Sequence, residues 1–522
     1  MNKKLSRRRF FKITSMGLAG TCLGLSGVEA WAQRMGGGGG GMGGGGGTGG
    51  GGVIDPPPGA PFANPQLMPL TRDGNLVTVN LEAQISPINI NGTVANLMTY
   101  GYRDASHNYH GFFPGPTINV RQNDIVRINF TNSLPYTSQT NLLGYQKNIT
   151  NLHTHGWHVS PEPPGDYVMY DLMPGETYNH EYDLANQGAG SFNFYHPHKH
   201  GVSAEQYWAG LAGCLITEDD LTVFSGMDTK IMVLKDIALS GSAPSPHAMM
   251  SDYMHGKSGS TVMVNGQVNP VLTIRPGQVQ RWRVLNASNV RHYLLSLEGH
   301  TLYLAGADGH LLDKPYARSQ ILLAPGERVE VLVKASTTKR DYKFLSLAYS
   351  WRGNMTSEQI TLLTMRVTGS GASGAIPASI NPAAQRLNPN SLEIAQTDVL
   401  ALSMGMGNGY INGQDFDVAP YTIMSNVDTY EIWTITNDSG MDHPFHQHVN
   451  PAQILSISGA PSSYPAYAAM PAWKDTVLVP KWGSVTMLVP VMDYAGMAMF
   501  HCHILEHEDI GMMGMWHIMG MG

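Results

Sequence analysis

One unit is written three times along this chain. Residues 115–133 open with Gly115, Pro116, Thr117, Ile118, Asn119 and Val120 and close on Asn132 and Ser133. Residues 269–288 repeat the plan, from Asn269 and Pro270 to Asn286 and Ser288, and residues 419–439 repeat it from Ala419 and Pro420 to Asn437 and Ser439. Each copy is a β-branched run, a turn rich in Gly, Asn or Asp, and an alternating strand. No long stretch of helical period competes with this pattern. The chain is therefore expected to be all-β, a β-sandwich repeated. At 522 residues it has room for about three domains of ~150 residues, each with its own core.

The N-terminal segment reads differently. Ser6, Arg7, Arg8, Arg9, Phe10, Phe11 and Lys12 form a twin-arginine pattern, followed by a moderately apolar run from Ile13 to Val28 and a small-residue site at Ala30–Ala32. That run is too short and too glycine-rich for a membrane span, so residues 1–32 are read as an export signal and no stable membrane insertion is expected. Residues 36–52 are glycine except for Met42 and Thr48. Such a run buries too little surface to fold, so residues 33–64 are read as a flexible Gly/Pro-rich linker, its glycine part reaching roughly 20–25 Å. Only 14% of residues are charged and the formal net charge is −7. With no basic block beyond the signal, nucleic acid is not an expected partner.

The segments after each repeat carry the chemistry. After the first come His153, His155 and His158, and after the third His443, His446 and His448; after the second there is only Arg291-His292-Tyr293. The outer repeats also end alike, on His196 and His198 in the first and on His501, Cys502 and His503 in the last, where the middle copy has Phe344 to Tyr349. Four His-x-His pairs have strand spacing, so each pair is expected on one face. Their eight imidazoles converge only if the first and third units pack together, and eight ligands suit about three metal ions. In the stretch 500–513, a strand would turn Cys502 toward His507 and Met512, and His501 and His503 to the opposite side. A thiolate with two imidazoles and a weak thioether is the donor set of an electron-transfer copper; the flanking histidines imply a second metal centre beside it.

On these motifs the chain, over roughly residues 65–522, resembles a three-domain multicopper oxidase, the group that includes laccases and periplasmic copper-efflux oxidases. His501-Cys502-His503-x3-His507-x4-Met512 is the most specific match, and Lys474-Asp475-Thr476-Val477 resembles a run in the bacterial members. The resemblance implies three consecutive cupredoxin-like Greek-key β-sandwiches, at 65–222, 223–380 and 381–522, the middle one metal-free. It implies four coppers per chain. His443, Cys502, His507 and Met512 would bind the type 1 ion, and His153 and His446 the type 2 ion. The type 3 pair would take His155, His196 and His503 on one ion and His198, His448 and His501 on the other.

The implied reaction is one-electron oxidation of a small reductant, a phenol or Cu(I), coupled to four-electron reduction of O2 to water, in an exported or periplasmic monomer. An Fe(II) or Mn(II) oxidase is the second enzyme reading, and a copper-scavenging or structural protein of the same fold the reading from another class. Glu508 matches the family position of a proton-relaying carboxylate; Asp166 is expected as the second such acid, with Glu162 as its rival. Methionines cluster at 249, 250 and 254, at 404 and 406, and near the C-terminus, and thioethers favour Cu(I), although methionine is also core filler. Asp438 or Asp442 is a further candidate for orienting the donor. His107, His110 and His180 read as loop residues, His158 and His200 as neighbours of ligands, and Cys214 as a small buried hydrophobe.

Overall fold

The computed structural model describes residues 52–218 and 221–520; the export signal at 1–32 and all but the last residue of the glycine run lie outside them. Strands group along the chain into three pairs of sheets, drawn from 71–217, 228–367 and 394–519. Each pair encloses apolar side chains. In the first, Val77, Val79 and Phe130 of one sheet meet Ile118, Tyr195 and Leu215 of the other in one cluster. In the third, Trp433 meets Phe500 edge to face with ring centres 5.7 Å apart.

The repeated unit has the same structural job three times. Its first strand (Gly115–Val120, Val271–Ile274, Thr422–Asn426) runs parallel to the last strand of its own sandwich. The turn then carries the chain to the opposite sheet, where the second strand (Ile125–Asn132, Val279–Asn286, Thr429–Asn437) lies between a parallel and an antiparallel neighbour. The closing asparagine explains why the repeat ends as it does. Asn132 donates its amide to the carbonyls of Asn148 and Leu172, Asn286 to those of Arg291 and Leu323, and Asn437 to those of Met441 and Val479. Its side-chain oxygen accepts the N–H two residues on, from Leu134, Ser288 and Ser439. One buried amide thus satisfies carbonyls on two segments at the end of each sandwich, which in the outer two is the end that holds the histidines. Asn286→Ala is expected to cost ~1–3 kcal/mol by stranding those groups, read as a lower midpoint in denaturant unfolding.

The middle copy departs from the alternation of the outer two. Its second strand is buried along its whole length, Val279 to Asn286, because its polar side is also covered: Arg281 and Arg283 share Glu330, and Arg283 donates to the carbonyl of Gly190 in the first sandwich. The segment read as a linker is ordered at its end. Val53–Ile54 adds a parallel strand beside Gln359 and Ile360, Asp55 accepts from Thr361 and pairs with Lys343, and Asn269 donates to the carbonyl of Pro56. A short apolar pair finding a free sheet edge overrides the flexibility expected there. Among the described residues, three short α-helices lie outside the sheets: α1 (Ser203–Trp208), α2 (Met250–His255) and α3 (Leu505–Asp509).

Candidate metal centre

Strand register brings the histidines of each outer sandwich side by side. In the first, His153–His155 pairs with Phe192–His196, placing His196 opposite His153 and Phe194 opposite His155. In the third, His443–Gln447 pairs with Gly496–Cys502, placing His446 opposite His501 and Phe445 opposite Cys502. The expectation that each His-x-His pair lies within one strand holds only for 153/155. His198, His448 and His503 each follow a strand end. The His503 N–H still donates to the Pro444 carbonyl of the neighbouring strand, 2.6 Å, before the chain turns into α3.

The two sandwiches meet so that all eight rings form one buried cluster. Nε2 of His153 lies 3.3 Å from Nε2 of His446. Nε2 of His501 lies 3.1 Å from that of His198 and 3.4 Å from that of His448. The ring centre of His503 is 4.9 Å from that of His155 and 5.3 Å from that of His196. Among the described residues, His155 Nδ1, His196 Nε2 and both nitrogens of His503 are buried without a hydrogen-bond partner. Burial, assisted by the neighbouring imidazoles, pushes His155, His196, His198, His446, His448 and His501 well below the usual imidazole range, and burial takes His503 to about 3. Neutral rings with inward lone pairs are what a divalent or monovalent soft metal requires.

A second group lies on the other side of the same strand end. Cys502 Sγ is 3.4 Å from His443 Nδ1 and 3.6 Å from His507 Nδ1, and those two nitrogens are 3.2 Å apart. His443 is held by Ser439, whose hydroxyl lies 2.8 Å from its Nε2, so the repeat's closing serine orients a candidate ligand. Met512 is fully buried, and its carbonyl accepts the Cys502 N–H. Three donors within 4.8 Å of one another, one of them a thiol, fit a copper of the thiolate type. Burial raises the Cys502 thiol, and bound metal would supply the charge that removes its proton.

Asp166 and Glu508 touch the eight-ring cluster with opposite pKa shifts. Asp166 Oδ2 lies 2.7 Å from His153 Nδ1, and its other oxygen accepts the Thr154 N–H and hydroxyl. Burial opposes its ionisation, yet His153 and those donors hold its pKa below the ordinary value. Glu508 lies 3.2 Å from His501 Nδ1 and 3.5 Å from His198 Nδ1; burial, then the adjacent Asp509, raise it well above the usual carboxyl range. Glu162, the rival to Asp166, is exposed and instead accepts the Met497 N–H.

The other readings divide. Asp442 is buried and engaged by the Tyr349 hydroxyl, 2.6 Å, and the Lys481 N–H, 2.8 Å; Asp438 is exposed. His158 and His200 pair with Asp493 and Asp417, and Cys214 is buried in the strand Gly213–Thr217. His180 is not a loop residue: it lies in the strand Thr177–Asp183, held by the Tyr170 hydroxyl and the Gly165 carbonyl. The polar partners replace the water a loop histidine would have. Burial lowers His180 to about 4 and His292 to about 3. Both are neutral when folded and protonate near pH 6.5 when unfolded, so their stabilisation is full above that pH and is lost as pH falls through it. The metal-free protein is expected to lose roughly 2 kcal/mol for each by pH 5, seen as a falling calorimetric Tm; a flat Tm from pH 7 to 5 would contradict this.

Sequence reasoning passed over Asp475 and Thr476, which contact His155 and His446, and Arg328 behind them. The Lys474–Val477 run was the available signal for the first two; nothing in the sequence marks Arg328.

Comparison with known proteins accords with this geometry. Family models described as multicopper oxidase match residues 98–221, 228–369 and 385–519. A multicopper oxidase of Staphylococcus aureus is 29% identical over 417 residues, 78% of this chain and 82% of that one. A laccase of Bacillus subtilis is 28% identical over 464 residues, 78% of this chain and 88% of its own length. The solved structure of a multicopper oxidase from Campylobacter jejuni, described as a metallo-oxidase, superposes with a TM-score of 0.74 at 25% identity, covering 90% of this chain and 98% of that one.

Proposed function

The chain belongs to the multicopper oxidase family, an oxidoreductase family that uses O2, and from that premise we propose that it is an exported laccase-like enzyme acting on phenols and Cu(I). The observation that carries this reading is the strand end 501–503, which presents Cys502 to one donor group and His501 to the other. We assign one copper to His443, Cys502, His507 and Met512, one to His153 and His446, and two to His155, His196, His503 and His198, His448, His501, within units at 65–222, 223–380 and 381–522. Copper held there would supply one-electron acceptance at Cys502 and four-electron delivery to O2 at the eight histidines.

The chain's own residues supply the rest. The backbone from Cys502 to His501 and His503 links the two donor groups by a few covalent bonds. Glu508 holds a proton between His198 and His501, where protons are consumed, and Asp166 orients His153. The eight histidines and the group of Cys502, His443 and His507 are all buried, so an organic donor touches neither directly, and we assign electron entry to the thiolate group because its donor set is that of an electron-transfer copper.

The Cu(I) component rests on methionines. Helix α2 lies against α3, and its Met254 main chain and His255 are close enough to influence His507. Met250 Cε comes within 3.9 Å of a Cβ built on Gly407, at the hairpin that carries Met404 and the fully exposed Met406. Met249 and Met250 are exposed as well. Methionines of two distant segments thus lie near one another beside α3, a placement that suits a Cu(I) path.

Oxygen uptake by the copper-loaded protein with Cu(I), Fe(II), Mn(II) and dimethoxyphenol side by side tests the proposal. Cu(I) oxidation with phenol turnover dependent on added Cu(II) would make the methionines a substrate path; efficient phenol turnover alone would make them packing; no uptake with any donor would reject the enzyme. Near four coppers per chain is expected, whereas one or none would favour a structural protein and many more a scavenger. Among the described residues no helix is long and apolar enough to cross a membrane. Replacing Arg7 and Arg8 with lysine is expected to leave the protein unprocessed in the cytoplasm on fractionation.

A further inference from the structure

The middle sandwich offers no imidazole to the cluster, yet two of the rings are held from it. His155 Nε2 lies 3.0 Å from Asp475 Oδ1 and 2.9 Å from the Thr476 hydroxyl. His446 Nδ1 lies 2.9 Å from the Asp475 carbonyl oxygen, and the two rings stack with centres 3.6 Å apart. Arg328, at the start of the strand Arg328–Lys334, grips Asp475 with both arms of its guanidinium, donating to Oδ1 at 2.7 Å and Oδ2 at 2.6 Å.

The guanidinium is itself fixed, donating to Asn193 Oδ1 and to the carbonyls of Phe192 and Gly326. Behind it, Asp308 accepts the N–H groups of Arg328 and Thr476, and Lys474 bridges Asp308 and Glu327. The backbone closes on the pair where Gly156 follows His155. A Cβ there would lie 2.4 Å from the Arg328 guanidinium and 2.7 Å from Asp475 Oδ2, in a conformation with φ +87°.

Five charged side chains, all at most 5% exposed along their ion pairs, are a poor way to gain stability, because desolvation cancels most of the attraction. A planar fork on a carboxylate does fix direction. We infer that Arg328 is a positioning residue: by locking Asp475 it sets the His155 and His446 rings for copper, so the metal-free domain tunes the cluster. This rests on the reading of those two histidines as ligands.

The test uses the copper-loaded full chain with Arg328→Leu, Arg328→Lys and, as a control, Arg281→Leu, which removes a buried ion pair to Glu330 in the same sheet. Metal analysis, the thiolate absorption of the Cys502 site and the electron paramagnetic resonance of the non-blue copper are compared. Arg328→Leu is expected to keep the thiolate absorption, shift the non-blue signal and weaken non-blue copper retention roughly 10–100-fold. Arg328→Lys, which keeps charge but loses the fork, should shift the same signal less, and Arg281→Leu should lower stability with the signal intact. A wild-type non-blue signal and copper content in Arg328→Leu overturns the inference; if that variant does not fold, an unshifted Arg328→Lys overturns it instead. A wild-type chain that never holds non-blue copper removes the ligand reading and this inference with it.

Discussion

Cys502→Ser is expected to abolish the intense thiolate-to-copper absorption and to cut oxygen consumption by roughly 10⁴-fold, the scale seen when one member of a concerted unit is removed. Cys502 is fully buried, with its sulfur 3.4 Å from His443 Nδ1 and 3.6 Å from His507 Nδ1. A serine hydroxyl fits that space but is a hard donor that keeps its proton, so it neither retains copper in a thiolate-like state nor carries an electron toward His501 and His503. The non-blue signal should persist, since the eight histidines and their partners are untouched. Visible and paramagnetic resonance spectra on the same sample decide it: surviving blue absorption would mean that the thiolate lies elsewhere.

Glu508→Gln is expected to lower kcat by about 10²–10⁴-fold, the range for a lost general acid, with copper content and blue absorption unchanged. Glutamine matches the shape of the protonated acid beside His198 and His501 but has no proton to give. The position suits delivery because Glu508 is fully buried and its carboxyl is raised well above the usual range. It therefore stays protonated at pH values where a solvated acid would already have ionised. Steady-state rates across pH with parallel metal analysis separate two outcomes. Lost rate at full copper content supports a proton donor, and lost copper at proportionate rate makes Glu508 only a partner of the two rings.

Much of the architecture was legible along the chain because it is local. Alternation, turn residues and the Asn-Ser ending of each repeat describe backbone direction and hydrogen bonding within some twenty residues, and three sandwiches follow from three copies. The departures are local rules overridden by packing. The middle strand Val279–Asn286 lost its alternation to a second covering layer, and the polar-looking His180 found Tyr170 and Gly165 inside the first sandwich. Val53 and Ile54, behind a glycine run, found a sheet edge.

The donor types were likewise a property of sequence. Soft and borderline ligands at fixed spacing limit the metal to copper-like ions whatever their placement, and the strand period already separated Cys502 from His501. What tertiary structure alone decided is the company each donor keeps. Which histidines of one sandwich meet which of the other depends on how residues some 300 positions apart pack, as His153 with His446 and His198 with His501. That Asp166 lies beside His153 while Glu162 is exposed and binds the Met497 N–H is a matter of loop path. The role of Arg328, 147 residues from Asp475, has no local signature at all, since a buried ion pair leaves no period or spacing in the chain; only the folded interior brings the two together.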